Sequence, residues 1–105
     1  YIVVESTYGD RLHENQNPLD FLKEVIISTY KKGGTVVIPS FAVGRAQELL
    51  YYLYQLKTQQ LIPELPIYLD SPMAIDATDL FCRFHENHKL SEKMAKKVCK
   101  VASYV

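Results

Sequence analysis

TVVIPSFAVGRAQELLYYL, residues 35–53, joins two patterns within nineteen residues. Thr35-Val36-Val37-Ile38 is β-branched throughout and shows no polar alternation. That suits a strand covered on both faces, as in a parallel sheet, and Pro39 stops it. From about Gly44 to Thr58 the apolar residues Ala46, Leu49, Leu50, Leu53 and Leu56 recur at helical spacing. A strand feeding directly into a helix is half of a β-α-β unit, so this stretch points to an α/β chain.

The same alternation extends in both directions. Tyr1-Ile2-Val3-Val4 reads as a first strand. Asn17-Pro18 offers a helix cap and a first-turn proline, followed by Leu19, Leu22, Val25, Ile26 and Thr29 at helical spacing. Gly33-Gly34 closes that helix. Pro63 and Pro66 frame a connection to a third strand at Ile67-Tyr68-Leu69. Ser71-Pro72 repeats the cap-plus-proline start of a helix reaching about Glu86. Ser91 caps a fourth helix, with Met94, Val98 and Val101 on one face. The order β-α-β-α-β-α-α predicts a three-stranded parallel, Rossmann-like sheet with helices on both faces and right-handed crossovers. The second strand is expected between the other two.

Composition narrows the class. The chain has 105 residues, 48% hydrophobic and 23% charged, with a formal net charge of zero. It is neither disordered nor globally polyanion-seeking. The charge is uneven: residues 1–88 sum to −4 and residues 89–105 to +4. A basic tail of this kind is either a polyanion contact or the solvated face of a helix. Cys82 and Cys99 form no CxxC pair and are expected to be reduced thiols in a cytoplasmic protein. No apolar run approaches the roughly 20 residues of a membrane span, and no signal-peptide pattern opens the chain. It starts without Met inside an apolar run and closes inside a helical pattern, so a piece of a longer protein is expected.

Each expected strand ends in polar chemistry: Glu5-Ser6-Thr7, Pro39-Ser40-Phe41 and Asp70-Ser71-Pro72. Ligands of open α/β sheets bind beyond the carboxyl ends of the strands, which places Glu5, Ser40 and Asp70 on one edge. The alternative for Asp70 and Ser71 is that they cap the next helix, favourable by about 1 kcal/mol. Gly44-Arg45 opens a helix with a cation, unfavourable against the helix dipole unless an anion binds there. Packing of Arg45 on Tyr51 or Tyr52 is the competing reading. Neither GxxxxGK[ST] nor GxGxxG is present. His85 and His88 have a His-x-x-His spacing but lack the third ligand of a catalytic zinc site. Asp10 and His13 read as surface groups, and Tyr51, Tyr52 and Tyr54 as packing residues.

Taken together, VVESTYGDRLH (residues 3–13), VIPSFAVGRAQELLYYL (37–53) and PIYLDSPMAIDAT (66–78) resemble the β-CASP group of the metallo-β-lactamase superfamily, which includes ribonuclease J and the endonuclease of messenger-RNA 3′-end cleavage. The resemblance covers roughly residues 1–80. It implies a nuclease that hydrolyses RNA phosphodiesters with two zinc ions, and an α/β lid domain over a metallo-β-lactamase core. Residues 1–8 would be the final strand of that core, and residues 9–105 a β-CASP domain truncated at its C-terminal end. Glu5 matches the acidic residue of motif A, which in the family orients a histidine near the metals. Ser6, Thr7, Tyr8, Ser40, Gly44, Arg45, Gln47, Asp70 and Ser71 form the implied substrate-contacting set. The family's HxHxDH motif and later histidine motifs are absent, so no zinc ligand is assigned to this chain. Zinc would belong to the parent protein, single-stranded RNA would be its partner, and the excerpt alone would be inactive. Two alternatives remain: a self-contained Rossmann-like module holding a small phosphorylated ligand through Ser40, Gly44 and Arg45, and an interaction domain with no ligand.

Overall fold

The structure is a computed structural model that describes residues 1–12 and 15–104; His13, Glu14 and Val105 lie outside the described residues. Helix α1 spans Pro18–Lys31. Asn17 caps it, its side-chain oxygen accepting the Leu19 N–H at 3.0 Å. At the other end the Gly34 N–H reaches the Thr29 carbonyl and the Gly33 N–H the Tyr30 carbonyl, with Gly33 at φ 68°. This paired closure needs a left-handed residue, which glycine supplies at little cost. Helix α2, Arg45–Thr58, closes in the same way, but Gln60 occupies the left-handed position at φ 55°.

Strand β1 (Tyr68–Leu69) leads into helix α3 (Pro72–Arg83), which is capped by Ser71 through the Ala74 N–H at 3.2 Å. A 3-10 turn at His85–Asn87 precedes helix α4, Glu92–Val98. Strand β2 (Ser103–Tyr104) then pairs parallel with β1, Tyr68 opposite Ser103 and Leu69 opposite Tyr104.

Leu22 and Ile26 of α1 pack on Leu53 and Leu56 of α2 and on Ile62, with Val36 and Val101 at the margin. Further along the same stripe of α2, Ala46 and Leu50 are buried, as are Ala74 and Thr78 of α3 and Ala95 and Val98 of α4. Among the described residues no helix is long and apolar enough to cross a membrane.

Three expectations are corrected. The described residues do not form the three-stranded sheet with helices on both faces. Tyr1–Val4 and Thr35–Ile38 are not strands, and the described sheet has two strands only. The reason lies in hydrogen bonding: a helix satisfies its own N–H and C=O groups, whereas a strand needs a neighbour. The first segment has none here, and Val3 and Val37 are 96% and 80% exposed. The fourth helix ends at Val98 rather than continuing through Val101, which instead packs at the edge of the α1–α2 core. Cys82 and Cys99 are not free thiols but a disulfide, with Cα atoms 6.6 Å apart. The turn at His85–Ser91 folds α4 back on α3 and brings together two residues 17 apart, which linear spacing does not show.

Candidate functional site

The turn that leads into α2 at Gly44 is the most heavily braced part of the expected site. Gly44 has φ 84° and ψ −67°, and the Arg45 N–H reaches back to the Val43 carbonyl at 3.1 Å. That is a γ-turn centred on a positive φ, a conformation open mainly to glycine. Three residues on, Gln47 turns its side chain back into the turn. Its Oε1 accepts the Gly44 N–H at 2.7 Å, and its Nε2 donates to the Ala42 carbonyl at 3.1 Å and to Thr78 Oγ1 at 2.8 Å. Thr78 in turn donates to the Ala74 carbonyl at 2.7 Å. Gln47 and Thr78 are both buried, and no buried side-chain polar atom among the described residues lacks a partner. The brace ties the turn to α3.

The hydrogen bonds of the Gln47 amide, to Gly44, Ala42 and Thr78, are thus made within the chain. The turn also changes the anion argument for the helix start. The N–H groups of Gly44 and Arg45 are both used inside the turn, so any anion contact at these two residues falls to the Arg45 side chain. That side chain is 64% exposed, with Nη1 paired to Glu48 Oε2 at 2.7 Å. Glu48 also accepts the Tyr52 hydroxyl at 3.1 Å, which pushes the Tyr52 phenol above its usual range. Arg45 therefore pairs with Glu48, and Tyr52 joins it through Glu48.

Beside the turn, α2 and α3 leave an open groove of about 550 Å³, lined by Val43, Gly44, Gln47, Tyr51, Leu80 and Phe81, among others. The other expected residues are dispersed. Glu5 accepts the Thr7 N–H, and hydrogen bonds from Thr7 hold its carboxyl below the ordinary glutamate range. It is ionised at neutral pH and fit to accept a hydrogen bond from a cation. The Ser6 carbonyl accepts the Gly9 N–H at 2.9 Å and the Tyr8 carbonyl the Arg11 N–H at 3.1 Å, so residues 6–11 form a turn. Ser40 and Asp70 are exposed, and Ser71 is a helix cap. Among the described residues no hydrogen bond or ion pair joins Glu5, Ser40 and Asp70. The described residues do not form the sheet edge expected to align them.

No group of three or more His, Cys, Asp or Glu side chains among the described residues could hold a metal ion. His88 is committed elsewhere. Its Nδ1 accepts the Leu90 N–H at 3.2 Å, which leaves Nε2 to donate to the Phe81 carbonyl at 2.9 Å, and its ring stacks on Phe81 at 4.0 Å. Among the described residues, no set fits the zinc pair that the resemblance implies for the parent protein. Sequence reasoning missed Thr78. Its signal was register: Ala74 and Thr78 lie one turn apart on the buried face of α3.

Residues 46–105, starting one residue after Arg45, match the profile of the Beta-Casp domain. The chain belongs to the Beta-Casp domain family. Similar curated proteins include a ribonuclease of Thermus thermophilus, 46% identical over 84 residues, covering 78% of this chain and 19% of the relative. A transcription termination factor, FttA, from Lokiarchaeum is 43% identical over 72 residues, covering 66% of this chain and 11% of the relative. Cleavage and polyadenylation specificity factor subunit 3-I of Arabidopsis thaliana is 43% identical over 76 residues, covering 69% of this chain and 11% of the relative. The chain thus spans a fifth or less of these relatives. Within the Beta-Casp match lie the Gln47–Thr78 brace, the disulfide and all of α3 and α4; the γ-turn at Gly44 lies just outside it.

Proposed function

We propose that this chain is part of a zinc-dependent hydrolase of RNA phosphodiester bonds, contributing substrate-holding groups but not the metal ligands. Supporting this reading are the family membership and the names of relatives, a ribonuclease and a cleavage factor subunit among them. The observation that carries it is the braced turn at Gly44, which fixes the backbone at Arg45 while leaving its guanidinium largely exposed. A guanidinium fork held on a rigid joint suits a bidentate contact with a phosphate oxygen pair. Glu48 neutralises it meanwhile; an exposed pair of this kind is worth about 0–1 kcal/mol and is readily exchanged for a phosphate.

Glu5 is read as the carboxylate that orients a histidine supplied by another part of the protein. The lowering of its pKa by Thr7 keeps it anionic for that task. The zinc ions belong to residues outside this chain, and the chain alone is expected to be inert. Residues 1–8 are assigned to the preceding core and residues 9–105 to the lid.

The test is made in the full-length protein. Arg45→Lys keeps the charge but loses the fork, so RNA affinity falls partly; Arg45→Ala lowers it further, with zinc content unchanged in both. A drop in melting temperature for Arg45→Ala with RNA affinity intact would instead assign Arg45 to the ion pair with Glu48 alone.

A further inference from the structure

Three lysines of the basic tail share one face of α4. At 3.6 residues per turn, Lys93, Lys96 and Lys97 fall within about 100° of arc on α4. Ala95 and Val98, fully buried against the rest of the chain, lie on the opposite side. Lys100 extends the row by one turn, its N–H held by the Lys97 carbonyl at 3.2 Å. Lys89 precedes the helix. All five ammonium-bearing residues are exposed. Lys96 is paired with Glu92. Lys93, Lys97 and Lys100 have no ion-pair partner among the described residues. Residues 1–88 are net acidic, so this row is a local field and not a property of the whole surface.

We propose that Lys93, Lys97 and Lys100 form a track for the phosphate backbone of single-stranded RNA, distinct from the contact proposed at Arg45. The proposal rests on the reading of the chain as part of an RNA-cleaving protein. Lys93 and Lys97 are four residues apart, a rise of about 6 Å, comparable to the step between successive phosphates of an extended strand. Lysine ammonium groups on flexible stems are sequence-blind point charges, suited to following a backbone of any sequence. A membrane surface fits less well. An interfacial helix needs an apolar face to insert, and that face of α4 is already buried by Ala95 and Val98.

The experiment uses the full-length protein with a Lys93→Gln, Lys97→Gln, Lys100→Gln variant and a control pair, Lys31→Gln and Lys32→Gln, at exposed positions at the C-terminal end of α1. Binding of a labelled single-stranded RNA is followed by anisotropy over a salt series. Cleavage of a short oligonucleotide and binding to phosphatidylserine vesicles are measured alongside. The expected result is weaker RNA binding by the triple variant, with the slope of log K against log salt reduced by about 2, from roughly 0.7 per phosphate released. Cleavage of the short oligonucleotide and the control pair's binding stay unchanged. An unaltered slope in the triple variant, while the wild type cleaves RNA, overturns the track and leaves the nuclease reading standing. An equal loss per charge in the control pair, or an effect on vesicles alone, also overturns it. A wild type that neither binds nor cleaves RNA removes the nuclease reading itself, and the track with it.

Discussion

The α1–α2 core and the segments 1–12 and 35–43, which form neither helix nor strand, are both rich in apolar residues, yet they end in opposite states. Leu22, Ile26, Leu53 and Leu56 are buried against one another, while Val3, Val37 and Phe41 stand in solvent. Hydrophobicity alone does not separate the two sets. The difference is where backbone hydrogen bonds go. A helix closes its own bonds and needs only one apolar face covered. A two-sided strand needs a neighbour on its edge and cover on both faces. Among the described residues only Tyr68–Leu69 finds such a neighbour, in Ser103–Tyr104.

The sharpest contrast is expected between two truncations of similar chemistry. Leu56 is fully buried, so Leu56→Ala should destabilise the chain by about 2–5 kcal/mol in denaturant melts. Val37→Ala in the same chain should stay within about 0.5 kcal/mol, as an exposed substitution does. Equal losses at the two positions would break the comparison.

The joint between the two regions comes next. Gln47→Leu fills a similar volume but leaves the Gly44 N–H and the Ala42 carbonyl without their partner. It should cost about 1–3 kcal/mol. It should also weaken RNA binding in the full-length protein, because the turn that carries Arg45 loosens. Gln47→Glu keeps the acceptor for Gly44 but replaces the amide donor to Ala42 and Thr78 with a carboxylate, and should not rescue.

The helices were legible because their signals are local. Asn17, Ser71 and Ser91 cap where the sequence placed caps, Pro18 and Pro72 sit in first turns, and the stripe from Ala46 to Leu56 packs as its spacing implied. The sheet was misread because β-branched runs report what a strand wants, not whether a partner is present in the same chain. The candidate site was legible in part. Gly44 was marked by its position, but its γ-turn and the buried pairing of Gln47 with Thr78 depend on two segments 31 residues apart. The disulfide between Cys82 and Cys99 was hidden for the same reason. Ser40 and Asp70 keep only their sequence argument, since nothing in the described structure joins them to Glu5.

The smallest effect lies at the helix ends. Gly33 and Gln60 occupy the same left-handed position of the same closing motif, at φ 68° and 55°. A non-glycine residue there carries roughly 1–2 kcal/mol of strain, partly offset by the greater unfolded-state freedom of glycine. Gln60→Gly should therefore raise stability by about 0.5–1 kcal/mol, and Gly33→Gln should lower it by a similar amount. Thermal melts of the two variants check both signs.

Native-state amide hydrogen exchange on the 105-residue chain addresses the central contrast most directly. Slow exchange is expected at Leu22, Ile26, Leu50, Leu53 and Leu56, where helix bonds are buried, and exchange near the unstructured rate at Ile2–Val4 and Val36–Ile38. Protection at Ile2–Val4 and Val36–Ile38 matching that of the α1–α2 core would show that these segments find strand partners within the chain, and would contradict that contrast.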